Sequence, residues 1–122
     1  MKIVVIHDYA DVFRKTAAFA RLAAHEVTVC SDAYIDPERV VEQVHGCEAL
    51  VLTQQRVPIT RAIVERLPML RFISQTGKNV YHLDVDACTE RGIVVSAAGG
   101  TDGNSPYSAT AELAWGLIIA SF

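Results

Sequence analysis

Two segments of this chain carry residue types that can grip a small anion. The first is Ser74-Gln75-Thr76-Gly77-Lys78-Asn79-Val80-Tyr81-His82-Leu83-Asp84. A glycine after a strand reaches positive φ at no steric cost. Successive exposed N–H groups then form a nest that holds a carboxylate, and Lys78 adds a positive charge nearby. A plain strand-to-helix turn capped by Asp84 accounts for the same residues. The second segment is Thr53-Gln54-Gln55-Arg56. A guanidinium there can fork onto a carboxylate through two hydrogen bonds, and the competing reading is a solvated loop arginine.

Other chemistry is weaker or absent. Gly99-Gly100-Thr101-Asp102-Gly103-Asn104-Ser105 lacks the Gly-Lys-Ser/Thr of a P-loop, and its glycines are not in G-x-G-x-x-G order. It follows the last strand rather than the first, and reads as a connector or hinge. Of His7, His25, His45 and His82, only His82 sits beside an anion-binding segment. No residue is assigned a catalytic role. There is no G-x-S-x-G, and Cys30, Cys47 and Cys88 form no C-x-x-C pair. A zinc site, a disulfide framework and an activated nucleophile are therefore not expected, and the reducing cytoplasm is the simplest location.

These segments need a scaffold, and the apolar pattern supplies one. Strands are expected at Lys2 to His7, Glu26 to Cys30, Ala49 to Leu52, Leu70 to Ser74 and Ile93 to Ser96. Between them lie helical patterns. One is capped by Asp11 and runs to about Ala24, with Phe13, Ala17, Ala20 and Ala24 on one side. Another starts at Asp36-Pro37, carries Val40, Val41 and Val44, and stops at Gly46. A third contains Ile63, Val64 and Leu67 and ends at Pro68. The fourth is capped by Asp84 and ends at Gly92. A last helix runs from about Tyr107 to the terminus. Regular alternation of this kind implies an α/β fold, a doubly wound parallel five-stranded sheet with helices on both faces. Ligands of such sheets bind at the carboxyl ends of the strands, which directs attention to Asp8-Tyr9, Thr53 to Arg56, Gln75 to Val80 and Ala97 to Ser105.

Composition narrows the partners. With 122 residues, 51% hydrophobic and 20% charged, the chain can bury one core. A formal charge of −3 with no basic run offers no footprint for nucleic acid or an anionic membrane. Neither Ile3 to Ile6 nor Leu113 to Phe122 is long enough to span a bilayer.

From Arg71-Phe72-Ile73-Ser74-Gln75-Thr76-Gly77 through His82-Leu83-Asp84-Val85-Asp86-Ala87-Cys88-Thr89-Glu90-Arg91-Gly92-Ile93-Val94-Val95, the chain resembles the D-isomer-specific 2-hydroxyacid dehydrogenases, a family that includes phosphoglycerate dehydrogenases. Gln55-Arg56-Val57-Pro58-Ile59-Thr60 is similar to that family's Arg-x-Arg-Thr loop. Ala111-Glu112-Leu113-Ala114-Trp115-Gly116-Leu117-Ile118 is similar to its interdomain crossing helix. The resemblance implies a flavodoxin-like substrate-binding domain at residues 1–106 and a crossing helix at 107–122. It also implies a Rossmann domain, absent from this chain, that holds NAD or NADP and the catalytic arginine, glutamate and histidine. His82 is not expected to replace that histidine. The implied substrate is a small 2-keto or 2-hydroxy acid. Its carboxylate would meet the backbone amides of Gly77, Lys78, Asn79 and Val80, with Gln54, Gln55 and Arg56 lining the same cleft.

The chain departs from the family pattern in three places. Asn79-Val80 stands where many relatives have a second glycine, and valine disfavours positive φ. Gln54 stands where relatives often have arginine, which argues against a phosphorylated substrate. The 99–105 loop is richer in glycine than the family's. The resemblance implies a segment that binds substrate and is inactive alone. The apolar circumference of 107–122 implies self-association, as a homodimer, or burial against the absent domain. The alternative is a free-standing flavodoxin-like binding or interaction module. A receiver-type version lacks an aspartate after Leu52, and a flavin-binding version would face the acidic turn His7-Asp8-Tyr9-Ala10-Asp11.

Overall fold

The computed structural model describes residues 1–32, 36–98 and 117–120. Five strands, β1 (Lys2–Ile6), β2 (Glu26–Val29), β3 (Ala49–Leu52), β4 (Phe72–Gln75) and β5 (Val94–Ala97), form one sheet in the order β2-β1-β3-β4-β5, with every pairing parallel. This is the doubly wound architecture expected from the alternating pattern. The central strands are apolar on both sides because both sides are covered. Val4, Ile6, Leu50, Leu52 and Ile73 face one core, and Ile3, Val5, Ala49 and Val51 face a second.

Three helices cover the first face. They are α2 (Pro37–Val44), α3 (Arg61–Glu65) and α4 (Val85–Glu90), which contribute Val40, Val41, Val44, Ile63, Val64, Ala87 and Cys88 to the core. Each fully buried Val, Ile or Leu side chain there contributes about 1.5–3 kcal/mol. The caps follow the sequence signals. Asp36 accepts from the Glu38 amide ahead of Pro37, and Asp84 accepts from the Ala87 amide at 2.8 Å. Gly46 and Gly92 take φ of 71° and 68°, which only glycine adopts freely, and stop the helices before them.

The second face departs from expectation. The single helix predicted from Asp11 to Ala24 is a 3-10 turn at Phe13–Lys15 followed by one α-helical turn, α1 (Ala17–Ala20). Thr16 breaks the run. Its extended backbone lets its hydroxyl donate to the Phe13 carbonyl and accept from the Phe19 amide, which competes with the helical ladder. Asp11 is not the cap: the N-cap position is Val12, and the Asp8 carboxylate accepts from the amides of Val12 and Phe13 at 3.1 and 2.7 Å. The apolar stripe shifts accordingly. Phe13, Phe19 and Leu22 are half-buried, whereas Ala17, Ala20 and Ala24 are exposed. An apolar hollow of about 260 Å³ is left between Phe13, Leu22, Ala49, Val51 and Phe72.

The last two strands begin two residues and one residue later than the apolar runs suggested; ahead of β4, Leu70 is held in a turn by its amide bond to the Leu67 carbonyl. The 99–105 loop and the helix expected from Tyr107 lie outside the described residues, apart from 117–120. Those four are helical, and Leu117, Ile118 and Ile119 are exposed.

Candidate functional site

Strand order reverses between β1 and β3, because the chain leaves β1 toward β2 and returns to β3 on the other side. The two adjacent carboxyl ends must therefore splay apart, and that opens a crevice. Local structure sharpens both ends. His7 leaves β1 at φ 62° and Gln54 leaves β3 at φ 67°. Left-handed backbone is uncommon for such residues and costs of order 1–3 kcal/mol unless surroundings enforce it. Here they do. The Thr53 hydroxyl donates to the Ile6 carbonyl at 2.7 Å, and the Gln54 amide donates to Thr76 Oγ1 at 3.1 Å. The strained turn aims Arg56 back over β1. Its guanidinium carbon lies 3.8 Å from the centroid of the Tyr9 ring, and Nη2 donates to Gln54 Oε1 at 2.7 Å.

The loop after β4 forms the facing wall. Gln55 ties it in place: its Nε2 donates to the Asn79 carbonyl at 3.2 Å, and its Oε1 accepts from the Tyr81 hydroxyl at 2.6 Å. Gly77 is not left-handed, contrary to the nest geometry expected from the sequence. What the glycine spares is a tight contact with two glutamine side-chain ends. A Cβ there would sit 3.1 Å from Gln75 Nε2 and 3.4 Å from Gln55 Nε2. Gln75 itself is only 1% exposed, and neither of its amide atoms has a hydrogen-bond partner among the described residues. A buried amide in that state is costly.

Two adjoining depressions result. A cleft of about 530 Å³ is lined by Gln54, Gln55, Arg56, Thr76 and Gly77. A larger one of about 650 Å³ shares Gln55 and Arg56 and continues over Pro58, Ile59, Thr60, Tyr81, His82, Leu83 and Asp84. A short parallel bridge between Ile59 and Leu83 stitches the floor of the larger one, with the Ile59 amide donating to the His82 carbonyl at 2.8 Å. Burial holds the His82 imidazole below its ordinary pKa, and both its ring nitrogens are buried without a partner among the described residues. Asp84 is occupied by its cap and by Arg61, whose Nε lies 3.8 Å away.

Among the described residues, Arg56 is the sole charged side chain lining the smaller cleft. Such a cleft suits one small anion with a polar carbonyl or hydroxyl beside it. It does not suit a dinucleotide. A pyrophosphate needs free amides at a helix start, but at the first strand-to-helix turn the Asp8 carboxylate already holds those of Val12 and Phe13. No cluster of three metal-ligating side chains occurs among the described residues.

Of the residues singled out in the sequence, Gln54, Gln55, Arg56 and Gly77 come together in one cleft. Lys78 and Asn79 are exposed outside its lining, and the half-buried Val80 packs against the core. Residue reasoning did not link Tyr9 to Arg56, nor give Gln75, Thr76 or Tyr81 a part. The strand-end rule pointed at Tyr9 and Gln75, but partners across the crevice depend on loop conformation. No described helix is long and apolar enough to cross a membrane.

Comparison with known proteins places this arrangement in a wider set. The family model described as D-isomer specific 2-hydroxyacid dehydrogenase, catalytic domain, matches residues 3–115. A solved phosphoglycerate oxidoreductase from Vibrio cholerae superposes with a TM-score of 0.84 at 42% identity, over 98% of this chain and 36% of that one. D-3-phosphoglycerate dehydrogenase of Methanocaldococcus jannaschii is 32% identical over 84 residues, which are 69% of this chain and 15% of that protein. An NAD+-bound 3-phosphoglycerate dehydrogenase of Entamoeba histolytica superposes with a TM-score of 0.71 at 25% identity, over 98% of this chain and 38% of its own. The chain thus spans a minor part of the length of each protein it matches.

Proposed function

Because the chain belongs to the D-isomer specific 2-hydroxyacid dehydrogenases, we propose that it is the substrate-binding domain of an NAD(P)-dependent oxidoreductase acting on a small 2-keto or 2-hydroxy acid. The observation that carries this reading is the cleft where β1 and β3 part, walled by Gln54, Gln55, Arg56 and Gly77. The Gly77 amide in the cleft wall, with the amides of Lys78, Asn79 and Val80 along the loop beyond it, receives the substrate carboxylate, and Arg56 faces it with the opposite charge. Gln55 holds the two loops at a fixed separation, so the acid is oriented without a search. Gln54 is neutral, so a phosphorylated tail meets one positive charge fewer. By the family resemblance the nucleotide is assigned to a further Rossmann domain carrying the catalytic groups, which accords with Asp8 already holding the first helix-start amides here. When bound there, the nicotinamide supplies or takes the hydride at C2 of the acid. We divide the chain into a substrate domain at 1–106 and a crossing helix at 107–122. That helix meets the Rossmann domain or a second protomer, and closure of the two domains on each other excludes water. Three free cysteines accord with a cytoplasmic setting.

Steady-state kinetics of the complete gene product test the reading. Arg56→Ala is expected to raise KM for a 2-keto acid by about tenfold or more, the value of a lost charge-assisted hydrogen bond. An unchanged KM in a folded variant would remove the proposed site.

A further inference from the structure

Arg56 has the position an anion ligand needs, but an arginine side chain carries many rotamers, and a ligand must fix them on binding. Two contacts have already done so. The Tyr9 ring lies under the guanidinium at 3.8 Å, and Gln54 Oε1 takes one Nη2 hydrogen at 2.7 Å. Its Nε is buried and has no hydrogen-bond partner among the described residues. Tyr9 is 42% exposed and is backed on one side by His7. It follows the left-handed His7, whose ring centroid lies 5.9 Å away, and His7 is 3% exposed. Behind both, Asp8 locks the turn through the amides of Val12 and Phe13. The contact thus runs across the crevice, from the end of β1 to the end of β3, and Arg56 lines both depressions.

We propose that Tyr9 is a positioning residue for substrate: its ring holds Arg56 between the two depressions with its guanidinium turned to the acid. The inference rests on the reading of Arg56 given above. Tyr9 supplies no hydrogen bond to the ligand. It acts through the π face, which attracts the guanidinium and limits its rotamers. Its consequence falls on substrate binding rather than on turnover.

The test is a double-mutant cycle in the complete gene product, with pyruvate and glyoxylate as probes and NADH as reductant. Tyr9→Phe keeps the π face and is expected to leave KM unchanged. Tyr9→Ala and Tyr9→Leu are expected to raise KM about three- to tenfold, with kcat within about twofold. Combining Tyr9→Ala with Arg56→Ala is expected to add nothing to Arg56→Ala alone. Melting curves identify any variant that fails to fold, and Tyr9→Leu, which keeps apolar bulk, then stands in for the alanine. A normal KM in both Tyr9→Ala and Tyr9→Leu, while Arg56→Ala is impaired, overturns this inference alone. So does full additivity of the two substitutions. A normal KM in Arg56→Ala overturns the proposed site and this inference with it.

Discussion

At the scale of single residues, the site consists of polar side chains already committed to one another. Gln55 spends both ends of its amide on the 79–81 loop, and Gln54 steadies Arg56. Against that background two buried side chains without a hydrogen-bond partner among the described residues stand out: Gln75 beneath Gly77, and His82 at the rim of the larger depression. His82 has a measurable consequence. Burial favours its neutral form, so its folded pKa lies below the ordinary value of about 6.5. Its stability contribution is complete above that value and is lost as pH falls through the folded pKa. The melting temperature of the wild-type chain is therefore expected to drop on acidification below about pH 6.5, and that of His82→Gln to drop less over the same window. The carboxylates of Glu38 and Glu90, held below their ordinary range by hydrogen bonds to Arg66 and Arg61, contribute their loss at lower pH. Equal slopes for both proteins in the upper window would show that His82 gains a charge-stabilising partner. Legibility at this scale was partial. Arg56 and Gly77 were visible as types, but Gly77 spares a tight contact rather than serving positive φ, and the left-handed residue is Gln54.

Elements were more legible, because periodicity and caps are local. Asp36-Pro37 and Asp84 start their helices where the sequence placed them, and Gly46 and Gly92 end them. The failure at Asp11 to Ala24 has an equally local cause. Thr16 satisfies its hydroxyl with neighbouring backbone groups, and alanine-rich spacing says nothing about that competition. Cap energetics give a test at this scale. Asp84→Ala removes the bond to the Ala87 amide and is expected to cost about 1 kcal/mol in urea unfolding. The backbone bond from the Asp84 amide to the Ile59 carbonyl survives the substitution, so the parallel bridge under the larger depression is expected to persist. A loss of several kcal/mol would mean that the cap also supports the bridge.

For the whole molecule, topology does most of the work. The order β2-β1-β3-β4-β5 goes with α2, α3 and α4 on one face and, among the described residues, a short, broken helical segment on the other. The same order brings Tyr9 beside Arg56, although 46 residues separate them in the chain. The alternation of apolar runs predicted the sheet and its crevice, because right-handed crossovers leave few other arrangements. It missed the detail of the second face, where the helix expected from Asp11 to Ala24 breaks at Thr16.

The central claim is that the crevice between β1 and β3 holds the carboxylate of a small 2-keto acid. The most direct measurement is a titration of the isotope-labelled 122-residue chain with pyruvate, followed by backbone amide shifts. Weak saturable binding is expected, with the largest shifts at Gln54, Gln55, Arg56 and residues Thr76 to Val80, and smaller ones at Tyr9. Shifts centred on another surface, or none at concentrations of order tens of millimolar, well above the weak-binding range, would contradict it.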